Sequence, residues 1–306
     1  MKWLILCNAG NSGFFTSVCD LLAQYDTSIV NGAEIFFVRD FSKKDIFSAF
    51  TDVRAVVMLD SFKLQDESDS GFLAGCIVAS RVPVFIAQTR TQEAVARYVE
   101  KAVTPGLLRM FKTSDSLLGR LPGIVEKLRH EEQRNVAFNT LFVHGMPFTP
   151  DVFATFIAKN KMPECKLYFE AGMDLNAQTS EGVPMLNIAV RNECTAMVRW
   201  LDANGADLNQ IAEDRGYTPI MDAVWKNNVE LVEYFISRGV RLDAISRDGQ
   251  SILVLAVGIG NAKICGLLAR HGADFNIQDK MGMSALGYAK LFHKTEIVGL
   301  FESVQK

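Results

Sequence analysis

Histidine is scarce. The 306 residues hold four (His130, His144, His271, His293), and no spacing brings three of them toward one ion, so no metal site is expected. The six cysteines (Cys7, Cys19, Cys76, Cys165, Cys194, Cys265) stand far apart in apolar surroundings, and no Cys-x-x-Cys pair occurs. Reduced thiols in a cytoplasmic compartment are the expectation. No run of like charge exists. The 32 Lys and Arg are scattered among 35 Asp and Glu, giving a net charge of −3, so neither DNA nor RNA is an expected partner. No apolar stretch is long enough to cross a bilayer, and no membrane partner is expected. The opening Met1–Cys7 is apolar but breaks at Asn8, and it reads as a buried strand rather than a signal peptide. With 49% hydrophobic and 22% charged residues the chain is not of the disordered class, and its length predicts two domains.

What is present is a repeat. Gly182-Val-Pro-Met-Leu-Asn-Ile-Ala189, Gly216-Tyr-Thr-Pro-Ile-Met-Asp-Ala223, Gly249-Gln-Ser-Ile-Leu-Val-Leu-Ala256 and Gly282-Met-Ser-Ala-Leu-Gly-Tyr-Ala289 follow one another at steps of 34, 33 and 33 residues. A second signal keeps pace: Gly172-Met-Asp-Leu-Asn176, Gly205-Ala-Asp-Leu-Asn209, Gly239-Val-Arg-Leu-Asp243 and Gly272-Ala-Asp-Phe-Asn276. The gap from each closing Ala to the next Gly of the second signal is 16. Periods of this length mean stacked supersecondary units. Thr218-Pro219 opens a helix, because Pro is tolerated where its missing N–H would be unpaired anyway. Gly205, Gly239 and Gly272 close the second helix of each unit, where a left-handed residue satisfies the last carbonyls.

These residues resemble the ankyrin repeat family, whose signature is Thr-Pro-Leu-His-x-Ala followed by Gly-Ala-Asp-x-Asn. The resemblance covers roughly residues 148–306. It implies helix pairs that stack into a solenoid with polar ends: an N-terminal cap at about Pro150–Gln178, three full repeats and a closing cap. The family's His is replaced by Asn187, Met221, Val254 and Gly287, which predicts weaker hydrogen bonding between repeats. The resemblance also implies a partner protein held on a concave face. The positions that would face it are Arg191/Asn192, Trp225/Lys226, Gly258/Ile259 and Leu291/Phe292. The turn tips would add Glu181, Arg215, Tyr217, Arg247, Lys280, Met281 and Met283. The candidate partner-binding set is therefore Arg191, Arg215, Tyr217, Trp225, Lys226, Ile259, Met281, Met283 and Phe292. Trp225 has two readings: an exposed anchor, or a side chain folded over the next repeat or onto the N-terminal domain.

The N-terminal half has another grammar. Short apolar runs (Trp3–Cys7, Ile35–Val38, Ala55–Leu59, Val84–Ala87, Leu107–Phe111) alternate with helical patterns (Phe15–Tyr25, Lys44–Phe50, Ser70–Ser80, Thr91–Val103, Ser116–Leu128). Runs apolar at every position predict strands covered on both faces, as in a parallel sheet. The fold class expected is α/β plus all-α: a flavodoxin-like domain of five parallel strands at 1–134, joined through a helical segment to an ankyrin-repeat domain at 135–306. In such sheets ligands bind at the carboxyl ends of strands. Two segments sit there. Gly10-Asn11-Ser12-Gly13 at a helix N-terminus is either an anion cradle or a plain tight turn. It is neither a Walker motif nor Gly-x-Gly-x-x-Gly, and no cofactor is implied. The acidic stretch from Asp60 to Asp69-Ser70-Gly71 could hold ribose hydroxyls or supply acid and base; alternatively Ser68 or Asp69 caps a helix and the other acids are solvated.

Val56-Val-Met-Leu-Asp60, Asp69-Ser70-Gly71, Ala74–Ala79 and Arg81-Val-Pro83-Val84 resemble the nucleoside 2-deoxyribosyltransferase family. That implies a compact domain that holds a nucleoside- or nucleotide-like ligand through Gly10, Asn11, Ser12, Gly13, Asp60, Asp69, Ser70 and Gly71. The family's nucleophilic Glu has no counterpart: Leu73–Gly75 and Ile77 are not acidic, which removes the group that would form a glycosyl intermediate. Two functions follow. The first is an interaction protein whose N-terminal domain binds such a ligand or is a dimerising relic, with surplus Phe14, Phe15, Phe36, Phe37, Phe47 and Phe50 available for a homo-oligomer contact. The second is an enzyme of N-glycosidic bonds in nucleosides, nucleotides or NAD, targeted by the repeats. A ligand that binds only the native state stabilises it, by about 2.7 kcal/mol at 100 times its Kd. Nucleosides or nucleotides should raise Tm in thermal-shift assays, and Asp60→Ala should abolish the shift. If no such compound moves Tm, the ligand reading fails.

Overall fold

A computed structural model describes residues 1–6, 12–25, 27–31, 48–58, 67–87, 99, 103 and 106–304. They fall into two compact units, Met1–Glu132 and Gln133–Lys306. The first unit holds five strands, β1 (Lys2–Leu6), β2 (Ser28–Asn31), β3 (Val53–Met58), β4 (Val84–Ala87) and β5 (Leu108–Phe111). They form one sheet in the order β2-β1-β3-β4-β5, and every pairing is parallel. Among the described residues the helices of this unit are α1 (Ser12–Ala23), α2 (Glu67–Ser80) and α3 (Ser114–Val143), the last extending into the second unit.

The pleat explains why the central strands read as continuous apolar runs. Leu4, Leu6, Val56, Met58, Val84 and Ile86 pack on one face with Leu73, Ala74 and Ile77 of α2. Trp3, Ile5, Ala55, Val57, Phe85 and Ala87 pack on the other with Val18 and Leu22 of α1 and Leu117, Leu121 and Val125 of α3. Both faces are covered, so alternation vanishes from the sequence. One described strand lies where the apolar pattern marked none. Among the described residues the edge segment beside β1 is Ser28–Asn31, in which Ser28 is exposed and Ile29 and Val30 are partly buried. A half-covered edge strand needs no unbroken apolar run. The expected strand Ile35–Val38 lies outside the described residues. α3 also runs past the expected end at Leu128, through His130–Asn135 to Val143.

The second unit carries five helix pairs: α4 (Pro150–Ala158) with α5 (Met162–Glu170), α6 (Met185–Arg191) with α7 (Thr195–Ala203), α8 (Pro219–Trp225) with α9 (Val229–Ser237), α10 (Ile252–Ile259) with α11 (Ala262–Arg270), and α12 (Ala285–Leu291) with α13 (Thr295–Val304). One hydrophobic core runs through all of them. Side chains start the helices. Thr149, Ser251 and Ser284 each accept a backbone N–H three residues on, as do Asn228 and Asn261.

The recurring Gly-x-Asp-x-Asn has a physical reason. The Asp closes the turn: Asp174, Asp207 and Asp274 Oδ1 accept from the N–H of Asn176, Asn209 and Asn276 at 2.9, 2.9 and 2.8 Å. The Asn then reaches the next copy. Asn176 Oδ1 accepts from the Asp207 N–H at 2.7 Å, and Asn209 Oδ1 from the Arg241 N–H at 2.8 Å. The turn tips are linked as well, the Glu213 N–H donating to the Gly182 carbonyl (2.8 Å) and the Arg247 N–H to the Arg215 carbonyl (2.9 Å).

That contact between tips decides one glycine. Gly216 has φ +69°, and a Cβ there would stand 2.5 Å from the Arg247 backbone nitrogen. Gly205 is equally left-handed (φ +93°), but a Cβ there would meet open space. Left-handed strain alone costs an L-residue about 1–2 kcal/mol. Gly205→Ala should therefore destabilise by about that amount, whereas Gly216→Ala should cost roughly twice as much or more, because backbone must move. Urea unfolding of the two variants checks the order; equal losses would refute it.

Candidate functional site

Trp225 ends α8, the inner helix of its repeat, and is 48% exposed. The residues before it on α8, Pro219 to Val224, are all buried. The Arg215 guanidinium lies over the indole, 6.0 Å from its centroid, and the Tyr217 ring is 6.5 Å away. Lys226 follows, exposed. Neither Arg215 nor Lys226 has a salt bridge among the described residues. A second focus lies on α12. Phe292 and Leu291 are exposed, and Tyr288 stacks on Phe292 at 5.8 Å. The Tyr288 hydroxyl donates to Asp279 Oδ2 at 2.6 Å and lies 3.8 Å from the Met281 sulfur. Met281 is 82% exposed, and Met283 and Ile259 are half-buried.

Two expected surface residues are not free. Tyr217, expected at an exposed turn tip, is buried, because its ring fills the space beneath Trp225 and Arg215. Arg191, expected on the open groove, is a structural cation. Its Nη1 and Nη2 donate to Asp214 at 2.7 and 3.0 Å, and its Nε donates to Asp222 at 2.9 Å. Asp222 is fully buried and also accepts from Asn187 Nδ2 at 2.7 Å. The same Asn187 amide donates to the Tyr217 carbonyl at 3.1 Å. The expectation of weak bonding at the missing-His position is thus wrong for Asn187, which ties its repeat to the next. Met221 and Val254, at the same position further on, are buried apolar residues.

Electrostatics at this cluster pull in opposite directions. Burial pushes the Asp222 carboxyl above its usual range, against the pull of Arg191 and the Asn187 hydrogen bond. Asp214 is held below its usual range, chiefly by its hydrogen bond from Arg191. One oxygen of Asp222, the Asn187 Oδ1 and the Thr218 Oγ1 are buried without a protein partner. Sequence reading missed Asp222, Asp214 and Asn187. The signal was there: an Asp inside an apolar helix run, with Asn187 and Arg191 four residues apart on the preceding inner helix and so on one face.

The N-terminal candidates are placed only in part. Gly10, Asn11 and Asp60 lie outside the described residues. Ser12 and Gly13 open α1. Asp69, Ser70 and Gly71 lie within the first turns of α2, which begins at Glu67. The readings in which Ser68 or Asp69 caps this helix are therefore corrected: both are inside it.

Residues 155–246 match the ankyrin repeats family as three copies, and residues 248–280 match a further ankyrin repeat. The chain is 32% identical over 168 residues to an ankyrin repeat-containing protein of Treponema pallidum (strain Nichols), covering 55% of this chain and 56% of that protein. It is 30% identical over 107 residues to the B-cell lymphoma 3 protein homolog of Mus musculus, covering 35% of this chain and 24% of that protein. An ankyrin repeat protein of Acanthamoeba polyphaga mimivirus is 33% identical over 100 residues, 31% of this chain and 14% of that protein. The chain thus spans about half the length of the first relative and less of the others. Ankyrin repeats are shown in the C-terminal half. Both family matches fall after residue 154, so the transferase resemblance of the N-terminal half is not carried by them.

The buried cluster makes a testable statement. Removing Arg191 strands the Asp222 carboxylate, and an uncompensated buried charge costs about 3–5 kcal/mol. A carboxyl whose folded pKa is raised favours folding when protonated. That contribution is complete below the unfolded value, about 3.9, and is lost as pH rises through the folded value. The penalty of Arg191→Ala should therefore be largest at pH 7 and shrink on acidification. Asp222→Asn in the same background should restore most of the stability at pH 7. Urea unfolding at pH 7 and 5 measures this; a pH-independent loss with no rescue would contradict it.

Proposed function

We propose that the chain, through the ankyrin repeats its C-terminal half carries, is a protein–protein interaction protein, and that its partner docks on the inner-helix side around Trp225. The observation that carries this reading is the half-exposed Trp225 under the Arg215 guanidinium and next in sequence to the exposed Lys226, neither cation having an ion-pair partner among the described residues. A half-exposed indole leaves apolar surface in water that a partner would cover. Trp and Arg are also the residue types that dominate interface energetics. Phe292, Leu291 and Met281 would extend the contact along α12 and its turn tip. Arg191 and Tyr217 support this surface from beneath and do not meet the partner.

The N-terminal half supports a second, finer reading. The strand order 2-1-3-4-5 is that of flavodoxin-like sheets, whose ligands lie at the switch in strand order, between β1 and β3. The last residues of those strands, Leu6 and Met58, are paired directly. The chain therefore leaves both strands side by side, and Gly10–Gly13 and Asp60 follow those strand ends in the sequence. This favours one ligand site over two separate loops, with a nucleoside- or nucleotide-like molecule as its occupant.

Truncating an interface anchor typically costs about 2 kcal/mol or more of binding, roughly a thirtyfold loss. Trp225→Ala should lower the affinity for a partner captured by the wild-type chain by at least that factor, with Tm nearly unchanged. Affinity capture followed by titration calorimetry on the purified partner gives both affinities. A large fall in Tm with binding intact would assign Trp225 to the fold.

A further inference from the structure

β5 and the adjoining face of α3 line a groove of about 620 Å³ within the first unit. Arg109, Met110 and Phe111 of the strand and Gly119, Arg120, Gly123, Ile124 and Lys127 of the helix line it. Three of these are cations and none is acidic. Arg109 and Arg120 have no salt bridge among the described residues. Lys127 has only a loose contact, 3.9 Å to the exposed Glu131 on its own helix. Side chains are absent from the helix wall at two points, since a Cβ on Gly119 or on Gly123 would meet nothing. The residues on α3 recur at intervals of four, so Gly119, Gly123 and Lys127 share a stripe, with Arg120 and Ile124 beside it. The apolar floor consists of the buried Phe111 and Ile124, with Met110 at the rim, 39% exposed.

β5 is also the last strand of the sheet. Among the described residues no strand pairs with its outer side, so its backbone N–H and C=O groups on that side stand ready for another chain. Two solutions to an exposed edge exist: cations that repel other edges, or a partner that completes it. Cations alone would not require a groove, an apolar floor or a helix wall opened by two glycines. A second copy of β5 is disfavoured, because it would bring Arg109 toward Arg109.

We propose that this groove binds an extended acidic peptide segment, which adds as a sixth strand beside β5 and sets its carboxylates against Arg109, Arg120 and Lys127. Main-chain hydrogen bonds to the edge supply affinity, and the cations and the apolar floor select the side chains. With about 3.3 Å per residue, the four residues of β5 match a segment of about four residues. Alternation along that segment sends every second side chain to the α3 side, so the segment carries acids at alternate positions with an apolar residue over Met110.

The test uses the full chain and a fluorescein-labelled heptapeptide of alternating valine and glutamate, read by fluorescence anisotropy. Saturable binding is expected, and the lysine-for-glutamate peptide should not bind. Arg120→Glu with Lys127→Glu should weaken binding roughly tenfold or more at unchanged Tm, since both residues are exposed and the effect is one of charge. Methylating alternate backbone nitrogens of the peptide leaves its charge intact. One of the two methylation patterns should abolish binding, because it removes the N–H groups aimed at β5. Absence of binding overturns the proposal. So does binding that the double charge reversal leaves unchanged, or binding indifferent to both methylation patterns and displaced by inorganic phosphate at equal concentration, which would show a groove that reads charge alone.

Discussion

A helix pair of about twenty residues has an apolar side and nothing to bury it against except another pair. That constraint shapes the whole C-terminal half. Each pair must present the same surface to the neighbour before and after it, so the spacing between copies cannot drift. Hydrogen bonds at both ends of the unit hold the spacing: the Asn176 and Asn209 side chains on one side, and the tip contacts Gly182–Glu213 and Arg215–Arg247 on the other. At Gly216 the tips approach too closely for a Cβ.

A buried carboxylate and a half-exposed indole lie one turn apart on α8. Asp222 is fully buried and ties Asn187 and Arg191 of the preceding inner helix to its own repeat. Trp225, three residues on, faces water. The two positions share a face of the helix, and Trp225 reaches water as its last residue. Arg191 shows how a groove position can be withdrawn from the surface: a guanidinium with two carboxylates in reach satisfies its own hydrogen-bonding capacity and leaves little for a partner. Arg215, whose neighbour Asp214 is already engaged by Arg191, lies over the indole instead.

The N-terminal sheet follows a different rule. Its central strands are closed on both faces, which leaves strand ends and edges open to other groups. The ends of β1 and β3 emerge together at the switch in strand order, and β5 lines the groove on α3. Strand ends and edges are where backbone groups of a sheet covered on both faces remain accessible without disturbing the core.

The sequence by itself determined the repeats, their helix boundaries and their turns, because period, proline, glycine and capping residues act locally and recur. It also located β1, β3 and β4, whose burial on both faces leaves near-continuous apolar runs, and β5, a partly exposed strand with a weaker pattern. It did not place β2, since Ser28–Asn31 lies at an edge and carries no such run. Nor did it separate Trp225 from Tyr217 and Arg191, three residues of the type that builds interfaces. Their placement depends on neighbours that folding brings up: Asp214 and Asp222 of the following repeat for Arg191, and the Trp225 ring at the far end of α8 for Tyr217. Those contacts join residues more than twenty positions apart in one case and across a turn in the other. Only the stacked structure, where distant carboxylates and rings come within a few ångströms, decides which polar side chains hold the fold and which are left for a partner.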